Sequence, residues 1–248
     1  MEKTVYLTSA YLAPVEYYAK LFASDKAFIE RYDNYVKQTY RNRCVIAAAD
    51  GPLALTIPTE KSDSLKCPMK DIRISDHGNW RHMHWNALVS NYRNSPFFEY
   101  YADDFRVFYE KKFPFLWDFN QEICQLVCEL IDIHPHMEGT AEYRTEFADN
   151  EEDFREIIHP KKDFRIEDPA FYAEPYYQVF KEKFGFLHGS LLHYCLLIFP
   201  DMGVRQIGSS SSDECEAAAG VILFLRLGNS TWLALIWTET RFCPSRST

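Results

Sequence analysis

The chain has 248 residues, 47% of them apolar and 25% charged, with a formal net charge of −9. That length and apolar share carry a hydrophobic core without disulfide or metal staples. The acidic balance argues against wholesale nucleic-acid binding, which leaves a basic footprint, but it permits a local cationic pocket. Aromatic residues reach 16%, and so many Phe and Tyr are expected first of all to fill the core. The seven cysteines form an odd set with no Cys-x-x-Cys spacing. Met1-Glu2-Lys3-Thr4 lacks the charged-then-apolar pattern of a secretory leader. Reduced, mostly buried thiols and a cytoplasmic location are therefore expected. Cys124 and Cys128 stand four apart on an expected helix, with no further ligand nearby to complete a metal set.

In chain order, residues 11–22 space Val15, Tyr18, Leu21 and Phe22 as a helix does, with Pro14 near the start. Residues 28–32 read as a short strand. Residues 43–48 and 53–57 are β-prone runs on either side of Asp50-Gly51-Pro52, a turn signal that predicts a hairpin. Residues 69–74 alternate weakly and read as a further strand. Asp76 or Asn79 is suited to cap a helix running to Tyr92, with Trp85, Leu88, Val89 and Tyr92 as its apolar stripe. Two more helices are expected over 103–112 and 120–133, the second presenting Ile123, Leu126, Val127, Leu130 and Ile131 on one face. The acidic stretch 138–153 reads as a loop or edge element, and Pro- and aromatic-rich segments follow at 164–169 and 175–186. The expected fold class is mixed α/β (α+β), a small sheet from the N-terminal third with helices packed on it.

Residues 33–43 stand apart. Asp33-Asn34-Tyr35-Val36-Lys37-Gln38-Thr39-Tyr40-Arg41-Asn42-Arg43 concentrates cations, amides and tyrosines directly before a strand-like run. Such a density of donors beside a buried strand is costly unless something anionic faces it. The stretch from Asn34 through Cys44 resembles the signature of the WbqC-like family of bacteria. Other pieces agree in order: Ala10-Tyr11-Leu12-Ala13-Pro14, Leu55-Thr56-Ile57-Pro58, Asp71-Ile72-Arg73-Ile74-Ser75, and Trp80 with His84 four residues on. Ser95-Pro96-Phe97-Phe98-Glu99-Tyr100-Tyr101, His159-Pro160-Lys161 and Tyr176-Tyr177-Gln178-Val179-Phe180 complete the series. The Tyr-Tyr and Arg-Asn-Arg pairs are closest to Bacteroidetes-type members.

The resemblance covers roughly residues 5–187 and implies association with O-antigen and other surface-polysaccharide biosynthesis, without defining a reaction. It divides the chain into a WbqC-like domain, 1–187, and a divergent tail, 188–248. Members usually end soon after the Gly-Phe-Leu matching Gly185-Phe186-Leu187, with a Ser-x-x-Asp; here His193 stands in place of that Asp. The Ser209-to-Ser212 run follows, and no lysine occurs after Lys183, so the tail reads as a divergent extension or a reading-frame accident. Its apolar stretch 217–237 is broken by Arg226, Gly228, Asn229 and Ser230. A central Arg costs about 2.5–3.5 kcal/mol in a membrane helix, so a hairpin turning at Gly228-Asn229 is expected and no stable membrane span.

Candidate site residues follow from these motifs. If 41–46 is a strand, Arg41 and Arg43 share a face and can grip one phosphate or carboxylate, with Asn42 on the opposite face. The alternative is that they pair with Asp33, Asp71 or Asp76 and hold the sheet edge. Lys37 joins this anion site or is simply an exposed loop lysine. Tyr11, Tyr35 and Trp80 are candidates to orient a sugar. His84, one turn after Trp80, is the candidate general acid or base, against the plainer reading of a histidine bonded within the helix packing. His82 and His84 point about 200° apart on a helix, so no metal site is expected. Cys44 beside Arg43 suggests an activated thiol, although a Cys opening a buried strand is commonly inert. No G-x-S-x-G, P-loop or G-x-G-x-x-G occurs, and no cofactor is expected.

Two functions result. One is a transferase, acyl or aminoacyl, acting on an activated sugar, with a nucleotide-sugar or other anionic small molecule as ligand. The other is a noncatalytic accessory protein that binds a glycan precursor or a glycosyltransferase, with polysaccharide-biosynthesis enzymes as partners.

Overall fold

The computed structural model describes residues 2–61, 66–95 and 98–168, together with Phe171–Ala173, Lys181–Phe184, Val221–Leu227 and Thr231–Trp237. No element is expected from sequence over Thr4–Thr8, yet Thr-Val-Tyr-Leu-Thr forms β1 and all five residues are buried. Burial on both faces removes the polar alternation that betrays a strand. α1, Val15–Ala23, follows directly after Pro14 and buries Tyr17, Tyr18 and Leu21. It returns the chain to β2, Lys26–Glu30, which lies parallel to β1 with Thr8 opposite Glu30.

β3, Arg43–Ala48, and β4, Gly51–Thr56, form the expected antiparallel hairpin. Gly51 adopts φ +119 at its corner, a conformation side chains resist. Residues 69–74 are not a strand. Met69–Asp71 is a 3-10 turn, and only isolated bridges, Thr59 with Ile74 and Arg73 with Phe115, follow it. The reason is non-local: the Met69 and Lys70 amides donate to the Asp33 and Arg31 carbonyls of the loop after β2.

α2 spans Trp80–Tyr92 and buries Trp80, His84, Leu88 and Tyr92, one residue per turn. The expected stripe is thereby rotated, with Trp85 and Val89 only half-buried. Asn79 precedes α2 with left-handed φ 49 and makes no side-chain cap. α3, Phe98–Glu110, and α4, Leu116–Leu130, each begin earlier than the apolar spacing suggests. Phe119 of α4 is the hub of the aromatic core, its ring 5.7 Å from Tyr11, 5.9 Å from Trp80 and 5.1 Å from Phe113.

The acidic stretch supplies both edges of the main sheet. β5, Met137–Gly139, pairs with β2, and β6, Glu151–Asp153, pairs with β1, giving the all-parallel order β5-β2-β1-β6. Charged side chains on such short edges deter further pairing. The fold is mixed α/β, its central strands and hairpin drawn from the N-terminal third.

Beyond it, Phe164–Glu167 (α5), Phe171–Ala173 (β7) and Lys181–Phe184 (α6) are followed by Val221–Leu227 (β8) and Thr231–Trp237 (β9). β8 and β9 pair antiparallel, as the hairpin reading expects, and β7 joins them. The readings of Tyr176 to Phe180, Gly185 to Leu187, His193, Ser209 to Ser212 and the Gly228-Asn229 turn lie outside the described residues. Among the described residues, no helix is long and apolar enough to cross a membrane.

One hydroxyl joins hairpin and helix. The Ala47 amide turns away from β4 and donates to Tyr92 Oη at 3.0 Å in a buried site. Tyr92→Phe leaves that amide unpaired, and urea denaturation is expected to show a loss of about 1–3 kcal/mol. A variant as stable as the parent would contradict this role.

Candidate functional site

Parallel sheets of this kind bind ligands beyond the carboxyl ends of their strands, where the connections diverge. Here β1 connects through α1 to β2 on one side, while β6 lies on its other side. The carboxyl ends carry Thr8-Ser9, Glu30-Arg31 and, just past β6, Phe154-Arg155-Glu156. The 33–43 stretch leaves the end of β2 and enters β3, so it belongs to this same edge.

The edge is unusually polar for its burial. Glu30 is wholly buried. It accepts from Arg155 Nη1 at 2.6 Å, Thr140 Oγ1 at 2.7 Å and the Tyr32 amide at 2.9 Å. Arg155 also donates to both oxygens of Asp153, each at 2.9 Å. Nearby, Arg41 grips Asp33 through Nε at 2.8 Å and through Nη2, and reaches Glu156 at 3.4 Å. Burial outweighs Arg41 and holds the Asp33 carboxyl above its usual range. Asn120 of α4 donates to Ser9 Oγ and to the Arg41 carbonyl. Among the described residues, four buried oxygens of this region, Thr8 Oγ1, Asp33 Oδ1, Asn42 Oδ1 and Asn120 Oδ1, and one donor, Arg31 Nε, have no hydrogen-bond partner.

The candidates from sequence fall into two groups. Arg41 precedes β3, so it shares no strand face with Arg43; its fork is taken up by Asp33, the structural pairing weighed above. Asn42 is buried and clips the end of the hairpin, donating to the Ile57 carbonyl while its own carbonyl accepts from the Ile57 amide. Arg43 is half-buried and donates to Thr56 Oγ1 at 2.9 Å. Lys37 is exposed, and Tyr35 is half-buried with its hydroxyl 3.5 Å from Thr59 Oγ1.

Tyr11, Trp80 and His84 form the second group, inside the core. Trp80 donates to the Ser75 carbonyl. Tyr11 Oη lies 3.1 Å from His84 Nδ1 and 2.9 Å from Tyr109 Oη. Burial pushes the His84 imidazole down to about 4, only partly opposed by the Thr56 carbonyl. It pushes the Tyr11 and Tyr109 phenols well up. His84 is thus a neutral hydrogen-bonding group sealed from solvent. Cys44 is wholly buried, and desolvation pushes its thiol up, opposite to the activation suggested by Arg43. Tyr11 links the groups, because its amide donates to the Tyr40 carbonyl at 2.8 Å.

Sequence reasoning missed Thr8, Ser9, Glu30, Asn120, Arg155, Glu156 and His159. His159 is half-buried. Desolvation lowers its pKa most; Glu156 opposes this, and Arg41 and Lys162 reinforce it. Its Nδ1 accepts from the Lys161 amide at 3.1 Å, which leaves Nε2 as the outward nitrogen. The signal was the charged run Asp153 to Glu156 directly after a short strand, followed by His159.

These features define a mixed α/β protein with a buried ionic network at the carboxyl edge of a parallel sheet. Its motifs are those of a known group. The chain belongs to the WbqC-like protein family, whose model matches residues 9–162 and so covers both groups of candidates. No curated protein and no solved structure matches the chain.

Buried His84 and half-buried Glu16 set opposite pH dependences. His84 is depressed from 6.5 to about 4, so the unfolded chain binds its proton first and stability falls as pH drops through that window. At about 1.4 kcal/mol per pKa unit the full loss is about 3 kcal/mol. Burial, with Asp168 adding to it, raises Glu16 from 4.5 to about 7, so the native state holds that proton and stability falls as pH rises between those values. Denaturation curves from pH 4 to 8 are expected to lose their acid limb in His84→Gln and their alkaline limb in Glu16→Gln. An imidazole NMR signal for His84 titrating near 6.5 would contradict the assignment.

Proposed function

We propose that this WbqC-like protein acts in surface-polysaccharide biosynthesis as a transferase, acyl or aminoacyl, that takes an activated sugar at the carboxyl edge of its parallel sheet. The observation that carries the reading is the pair of accessible cations at this edge, exposed Lys37 in the loop and half-buried Arg43 at the start of β3, beside the buried ionic pairs Arg41–Asp33 and Arg155–Glu30. Together they supply charge for the phosphate of an activated sugar. Arg41 acts indirectly, by fixing Asp33. Half-buried His159, close in sequence to Glu156 at the carboxyl edge, is the proton-moving group in this reading, while Tyr11, Trp80 and His84 support the loop from the core.

A second reading, a noncatalytic protein that binds a glycan precursor or a glycosyltransferase, is favoured by one observation: His84 and Cys44, the chemistry-bearing candidates of the motif region, are sealed and neutral. The transferase and the precursor-binding form of this second reading share a ligand and differ in turnover.

Arg41→Ala is unsuited to the test, because stripping a buried partner from Asp33 costs about 3–5 kcal/mol whatever the ligand. Thermal shift with UDP-N-acetylglucosamine and dTDP-glucose is expected to raise the melting temperature of the parent. Lys37→Ala and Arg43→Ala should weaken the response about tenfold in ligand concentration. With acetyl-CoA as donor, His159→Ala should lose turnover and keep the shift. A parent without any shift sinks the transferase and the precursor-binding readings and leaves only glycosyltransferase binding, which a pull-down tests; a parent that shifts but transfers nothing from acyl or aminoacyl donors supports the accessory one.

A further inference from the structure

A concavity lies away from this edge, between α2 and α3, with a volume of about 460 Å³, within the range of small-molecule sites, roughly 300–1,000 Å³. Helical spacing builds both walls. His82 and Asn86 stand four apart along α2, with Asn79 just before it, and Arg106, Tyr109 and Glu110 recur at helical spacing along α3. Trp85 forms an aromatic platform, its ring 5.9 Å from Tyr109 and 6.3 Å from Phe98.

The polar groups are already held in place by one another. Asp76 bridges Arg81 at 2.5 Å and Lys112 at 2.8 Å. Glu110 holds Arg106 at 2.6 Å, and Asn86 Nδ2 lies 2.8 Å from His82 Nε2. Arg81 Nε is buried with no partner. The wall therefore offers paired donors and acceptors in near balance, beside an aromatic face. A phosphate would have to take its cations from Asp76 and Glu110. A neutral sugar needs no such exchange, since each hydroxyl both donates and accepts and its C–H face packs on a ring.

We propose that the α2–α3 cleft is a saccharide subsite, taking one or two neutral sugar residues of a glycan against Trp85 and Tyr109. It goes beyond the function proposed above, since it assigns a site separate from the sheet edge, and it stands whether or not an activated sugar binds there.

Saturation-transfer NMR and isothermal titration on the full chain test it, with glucose, galactose, N-acetylglucosamine, lactose and maltose as probes. At least one is expected to bind at millimolar concentration, with affinity unchanged in 0.5 M NaCl. Trp85→Ala and Asp76→Asn should each weaken it at least tenfold, and Arg43→Ala should leave it intact. Asn86→Ala, an exposed and conservative change, is expected to weaken binding too and guards against a Trp85 variant that does not fold. Absence of binding by the whole panel overturns the proposal, as does binding that survives in Asp76→Asn and Asn86→Ala. A response confined to glucose 6-phosphate or inorganic phosphate and abolished by salt also overturns it. Loss of the nucleotide-sugar response in Lys37→Ala and Arg43→Ala concerns only the sheet edge, so the two readings fail separately.

Discussion

Glu30 ends β2 with no exposure to water, and a carboxylate there is tolerable only because Arg155, Thr140 and the Tyr32 amide surround it. That one pairing joins the end of β2 to the segment after β6 across the sheet. Asp153 extends it, and the Arg41–Asp33 pair repeats the device in the adjoining loop. Replacing such pairs with apolar residues is often neutral for stability, so stability alone does not explain two of them side by side. They fix the direction of charged side chains at the edge of the sheet where parallel folds place their ligands.

The same core that supports this loop removes His84 and Cys44 from chemistry. Tyr11, Tyr109 and His84 form a buried chain of hydrogen bonds, and desolvation keeps each member neutral. Tyr11 stands where β1 ends, its main chain bound to Tyr40 and its side chain to α2 and α3. Packing around it therefore couples the sheet-edge loop to the helices that form the cleft. Under the transferase reading proposed above, proton transfer is assigned instead to half-buried His159, whose charge environment includes Glu156.

Local signals in the sequence were legible where local chemistry decides the structure. Pro14 marks the start of α1, and Asp50-Gly51-Pro52 marks the hairpin, because each fixes backbone dihedrals regardless of context. β1 escaped notice because both of its faces are buried and it shows no alternation. Residues 69–74 were misread because carbonyls of Arg31 and Asp33 capture amides that a strand would use. The motif Asp33 to Arg43 announced a polar site, yet the partners that define it, Glu30, Asn120, Arg155, Glu156 and His159, come from other elements and only the fold assembles them. Arg41 shows the limit most clearly, since one sequence pattern serves an anion grip and a buried ion pair equally well.

The central claim is that the carboxyl edge of the parallel sheet is where ligand meets protein. Hydrogen–deuterium exchange with and without a saturating nucleotide-sugar tests it most directly. The account predicts protection of residues 33–43 and 154–162, whatever the amides of α2 and α3 do. Protection confined to the helices, or none at the edge while binding is saturated, would contradict it.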